Sequence, residues 1–173
     1  MRLLFYIALF SFSTAQVSFA QTPDEQLDKL GIILPKPTVP TANFVKYVQT
    51  GNLIFLAGHG PANMTDEMRG KLGKDLSIEQ GYGAARATAV SLLATLKDAL
   101  GGDLSRVNRI VRVVGMVNSD PHFYDQPKVI NGCSDLLVEV FGEKGKHARA
   151  AVGMASLPSN IPVEIEMIVE VRD

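Results

Sequence analysis

The run VEIEMIVEV near the end of the chain leaves little freedom in how it can fold. Val163, Ile165, Met167, Val169 and Val171 alternate with Glu164, Glu166, Ile168 and Glu170, and Arg172 continues the second set. A period of two is the pleat of a β-strand, which sends successive side chains to opposite faces. The first face is apolar throughout. The second carries glutamates and one isoleucine. Such a strand belongs in a sheet covered on one side, with the other side left for solvent, a ligand or another subunit.

Two segments have the period that could cover it. SIEQGYGAARATAVSLLATLKDALGG places Ile78, Tyr82, Ala85, Ala89, Leu92, Leu93, Leu96 and Leu100 at steps of three and four. Ser77 and Gln80 form a capping box at its start, and Gly101–Gly102 stops it. Pro127–Phe141 carries a second stripe, Ile130, Cys133 or Ser134, Leu137 and Phe141, ended by Gly142. FVKYVQTGNLIFLAG reads as a hairpin turning at Thr50–Gly51–Asn52. RVNRIVRVVGMVNS reads as a strand around Val107 and Ile110. The residues around Arg149 give another strand, and LPSNIP turns the chain into the last one. The order is β-β-(β)-α-β-α-β-β. Two helices and about six strands predict an α+β layer, a mixed sheet with both helices on one face.

Ahead of this core, Thr22, Pro23 and Glu25 predict a short capped helix ended by Gly31. Pro35, Pro37 and Pro40 then impose an extended segment. The opening MRLLFYIALFSFSTAQVSFA has one early cation, an apolar run from Leu3 to Phe12, and small residues at Ser18 and Ala20. This is the pattern of a secretory signal peptide, with cleavage expected after Ala20 and a periplasmic or secreted product. The expected organisation is a signal over 1–20, a helix and proline-rich segment over 21–40, and one domain over 41–173.

Charge and composition exclude several functions. The net charge is -1, and loss of Arg2 with the signal would make it -2, so no basic excess exists to neutralise phosphates. Nucleic acid is not an expected partner, nor is a membrane once the signal is removed. With one cysteine, Cys133, no intramolecular disulfide can form. Cys133 lies in a helical apolar pattern and reads as a small core residue. His59, His122 and His147 have no second ligand at metal spacing, so neither a metal nor a cofactor is expected. GHGP lacks the Lys-Ser/Thr of a phosphate loop, and there is no Gly-x-Ser-x-Gly.

What remains is Arg149. In the strand ARAAVGMA it shares a face with Ala151, Gly153 and Ala155, small residues that leave room beside a guanidinium. Arginine can hold a carboxylate through two parallel hydrogen bonds. A glutamate partly shielded from water can move a proton near neutral pH. Two readings stand at this point. Arg149 anchors an anionic ligand, or it forms a cross-strand ion pair with Glu164 or Glu166.

The ending ARAAVGMASLP followed by VEIEMIVEV resembles the C-terminal signature of the Rid/YjgF family, the reactive imine/enamine deaminases also labelled endoribonuclease L-PSP-like. TGNLIFLAGHGP resembles that family's hairpin, and RVVGMVNSDPHFYDQPKVING its strand–loop–helix centre. The similarity runs from about Leu34 to Asp173, and LPKPTVPTANFVKYVQTGN resembles an exported bacterial subgroup. The resemblance implies a chorismate-mutase-like fold and a homotrimer with ligand clefts between protomers. It implies hydrolysis of 2-imino or 2-enamino acids, such as 2-iminobutanoate and 2-iminopropanoate, to 2-keto acids and ammonia. Arg149 matches the arginine that binds the substrate carboxylate, and Glu164 the glutamate that positions water. Phe44, Gly58, His59 and Ala151 match positions lining the substrate site. Phe44 stands where studied members have tyrosine, Ala151 where cysteine is frequent, and His59 where glutamine is usual. Phe44 and Ala151 favour the alternative, a non-catalytic binder of small carboxylates on the same trimer. The acidic mature chain, without a basic aromatic groove, argues against an endoribonuclease.

Overall fold

The alternating strand named first stands at the centre of the sheet. In the computed structural model, which describes residues 21–172, it is β5, Val163–Val171. The other strands are β1 (Tyr47–Thr50), β2 (Leu53–His59), β3 (Val107–Asn118) and β4 (Ala148–Met154). Among the described residues they form one five-stranded sheet in the order β1-β2-β5-β3-β4. About six strands were expected. The segment from Gly60 to Gly73 supplies no further strand, because glycine and proline punctuation leaves it a loop with one 3-10 turn at Asp66–Met68. All pairings are antiparallel except β3 with β4, so the sheet is mixed. The expected signal peptide lies outside the described residues.

Among the described residues three α-helices accompany the sheet: α1 (Pro23–Lys29), α2 (Ile78–Ala99) and α3 (Gln126–Phe141). The capping boxes at Thr22/Glu25 and Ser77/Gln80 both form. Val163, Ile165, Met167, Val169 and Val171 of β5 are buried, together with Ile54 and Leu56 of β2 and Val113 and Val117 of β3. They make a single core with Leu92, Leu93 and Leu96 of α2 and Ile130, Cys133 and Leu137 of α3. Each large aliphatic side chain buried in this way contributes roughly 1.5–3 kcal/mol. Both long helices therefore cover one face of the sheet, as expected. The ambiguity in the second helical stripe resolves in favour of Cys133, which is fully buried, while Ser134 lies to its side and faces β4.

β3 does not alternate cleanly, because its register with β5 shifts twice, between Val107 and Arg109 and between Ile110 and Arg112. The spacing Val107, Ile110, Val113 follows from those irregularities. The uncovered face carries Val48, Phe55, Val114, Met116, Val152 and Ile168, together with Arg112, Glu164 and Glu166. Val48 is 54% exposed, Phe55 40% and Val152 42%. Among the described residues no helix is long and apolar enough to cross a membrane.

Candidate functional site

Among the described residues β4 is an edge strand that pairs with β3 alone, with Arg149 opposite Val113 and Ala151 opposite Gly115. Val113 is buried under the helices, so Arg149 and Ala151 point to the helix-covered side. At the sheet edge that side is still open to solvent, and Arg149 is exposed. Asn131 and Ser134 stand three residues apart on α3, hence on one helix face. Arg149 Nη1 donates to Asn131 Oδ1 at 2.8 Å and to Ser134 Oγ at 3.0 Å. Both partners are neutral. Among the described residues the acidic side chains form ion pairs with Arg69, Arg86, Lys97, Lys128 and Lys146, and none with Arg149. The cross-strand pair considered above does not form. β3 separates β4 from β5, and Glu164 and Glu166 project from the opposite face.

Glu164 sits across β3 from Val152, on the uncovered face. Burial raises its carboxyl above the ordinary range, and the neighbouring charge of Glu166 adds to the shift. The carboxylate rests over Gly58. β2 carries one extra residue here, since Leu56 pairs with Met167 and His59 with Ile165. A Cβ at Gly58 would lie 2.0 Å from Glu164 Oε1, so glycine is needed for the carboxylate to occupy this position. Gly58 and Glu164 are thus brought together.

His59, one residue on, turns the other way and is buried. A carbonyl can only accept, so Nδ1–H donates to Ala57 O at 2.7 Å, and Nε2 accepts from Thr95 Oγ1–H at 2.8 Å. Burial holds its pKa below the ordinary value. It lines a cavity of 420 Å³ with Lys36, Lys46 and the proline-rich segment, separated from Arg149 by the width of the sheet. Phe44 is 54% exposed just before β1, at the edge far from β4. Ala151 packs against the core beside Arg149. The chain therefore holds two separate groupings, Arg149 with Ala151 on one face of the sheet and Glu164 with Gly58 on the other. Among the described residues no group of three or more His, Cys, Asp or Glu side chains could hold a metal ion.

Three polar residues at the arginine were not singled out from the sequence: Asn131, Ser134 as a partner rather than a core position, and His147. His147 Nδ1–H donates to Gly145 O at 2.6 Å, and its Nε2 lies 3.1 Å from Ser134 Oγ. The i, i+3 spacing of Asn131 and Ser134 was a usable signal, but only once α3 was known to pack on β4.

Comparison with known proteins gives a consistent picture. Residues 24–171 match the family model described as "YjgF/chorismate mutase-like, putative endoribonuclease". Protein TCP17 of Trypanosoma cruzi is 44% identical over 149 residues, 85% of this chain and 92% of that protein. A crystal structure of a protein of unknown function from Agrobacterium tumefaciens is 43% identical with a TM-score of 0.81, covering 87% of this chain and 92% of the other. One from Shewanella oneidensis is 32% identical with a TM-score of 0.83, covering 87% and 100%. RidA from an Antarctic Psychrobacter shares the fold at 22% identity, with a TM-score of 0.53 and coverage of 79% and 94%.

Proposed function

Because the chain belongs to the YjgF/chorismate mutase-like family, we propose that it hydrolyses small 2-imino or 2-enamino acids to 2-keto acids and ammonia, with Arg149 as the carboxylate anchor. One observation carries this reading. Arg149 is exposed and fixed by two neutral acceptors on a single nitrogen, and among the described residues nothing else engages Nη2 and Nε, which can grip a carboxylate side-on. A surface arginine without function has no need of two oriented acceptors, and a structural one would have its carboxylate within the protomer.

The reaction asks little of the protein beyond placement. The anchored carboxylate fixes the imine carbon, a water adds to it, and the amine nitrogen leaves. Holding the two reactants in position accounts for much of the gain. Glu164, a partly buried carboxylate, is suited to accept a hydrogen bond from that water and aim it at the imine carbon. It stands on the opposite sheet face from Arg149, so one active site takes Arg149 from one protomer and Glu164 from a neighbour. The partly apolar uncovered face, with Phe55 and Val152 exposed, supports such an assembly. We propose a homotrimer with clefts between protomers, acting in the periplasm or outside the cell after removal of residues 1–20.

Keto-acid release tests this reading. An amino-acid oxidase generates imines in situ while semicarbazide competes for them. The wild type is expected to accelerate release, and Arg149→Ala to abolish the acceleration. Tight binding of a small carboxylate without acceleration would point instead to the non-catalytic binder. Acceleration that survives Arg149→Ala would refute the anchor.

A further inference from the structure

Arg149 does not end at its two acceptors. Ser134 Oγ, which accepts from Arg149 Nη1, also contacts His147 Nε2. Since Nδ1–H of His147 is committed to the Gly145 carbonyl, Nε2 is the bare nitrogen, and the hydroxyl proton of Ser134 points at it. The result is a directional chain, Arg149 to Ser134 to His147, with the imidazole oriented by a backbone carbonyl. A hydroxyl on an oriented, unprotonated imidazole, beside a cation that stabilises its oxygen, is the arrangement by which enzymes move protons.

We propose that Ser134 and His147 form a proton relay serving the ligand anchored by Arg149. This rests on the deaminase reading. Ser134 is the group that meets substrate, and His147 acts through it. In the first step water adds to the carbon of the protonated imine and forms the C–O bond. The proton it sheds passes to Ser134 Oγ as Ser134's own proton passes to His147 Nε2. In the second, the imidazolium returns that proton through Ser134 to the amine nitrogen. The C–N bond then breaks with its electron pair on nitrogen, and the remaining O–H proton goes back to the relay. The relay passes that proton to the departing ammonia, which leaves as ammonium, and the keto acid and the neutral relay remain. Glu164 of the neighbouring protomer places the water, while the relay takes the water's proton and delivers it to the leaving nitrogen.

The surroundings suit a neutral imidazole. Burial holds the pKa of His147 below its ordinary value, and the charge of Arg149 adds to this. On α3 Ser134 faces the imidazole, while Cys133 beside it in the chain is turned into the core, where burial pushes its thiol up to about 12. Asp135 and Glu139 are turned to Tyr82 and Arg86 of α2, and Glu143 is paired with Lys146.

The test compares wild type, His147→Gln, Ser134→Ala and Ser134→Thr in the keto-acid assay across pH 5–8. Gln can still accept from Ser134 but cannot take its proton. His147→Gln is expected to lower kcat on the order of a hundredfold, with KM little changed, and to remove the acid limb of the kcat/KM profile. Ser134→Ala should match it, and Ser134→Thr should restore activity. An active wild type with unchanged kcat and pH profile in His147→Gln would overturn the relay and leave the deaminase reading intact. A wild type inactive on every imine would overturn both.

Discussion

His59 shows how much a single side chain can hide from its sequence. Its place after Gly58 marks it as a site residue, yet the strand turns it into the core, where both ring nitrogens are satisfied by Ala57 and Thr95. The extra residue in β2 is the cause, because a one-residue change of register exchanges the faces. Burial makes this histidine a pH-dependent element of stability. Its folded pKa lies below the unfolded value, so its contribution is complete above the unfolded pKa and is lost as pH falls toward the folded one. Wild type should therefore lose melting temperature between pH 7.5 and pH 5 more steeply than His59→Gln, whose amide can make the same two hydrogen bonds. Equal slopes in the two proteins would contradict this account. Arg149 was legible as an unusual residue because small neighbours flank it. Its partners were not, since Asn131 and Ser134 reach it only through the packing of α3 on β4.

At the scale of elements, the helices and the last strand were readable because their periods are strong and their caps explicit. β3 was harder, since two register shifts break the alternation. The close approach of α2 and α3 left a quieter sign, the glycine at 132. A Cβ there would lie 2.0 Å from the Tyr82 carbonyl oxygen, with the backbone of α2 on the other side of the gap. Nothing flexible can move aside. Gly132→Ala should destabilise the protein by about 1–3 kcal/mol despite the better helix propensity of alanine, measured by denaturant unfolding. An unchanged midpoint would show that the helices can separate freely. Such a shift would also carry Asn131 and Ser134 away from Arg149, so fold and site are coupled through this contact.

For the whole molecule, the sequence indicated an α+β layer with one open face, and the structure has it. What the sequence could not show is that its two best site residues point away from each other. Arg149 lies on the helix-covered side of the edge strand, and Glu164 lies on the open face of the central strand. Face assignments depend on strand order, and strand order depends on pairings between residues far apart in the chain. The proposed activity thus stands or falls with assembly. The most direct measurement mixes two variants, Arg149→Ala and Glu164→Gln, each expected to be inactive alone, and allows their subunits to exchange. If each site takes Arg149 from one protomer and Glu164 from the next, random mixing restores intact sites and about a quarter of wild-type keto-acid release. A mixture no more active than the two variants measured separately would contradict a site shared between protomers.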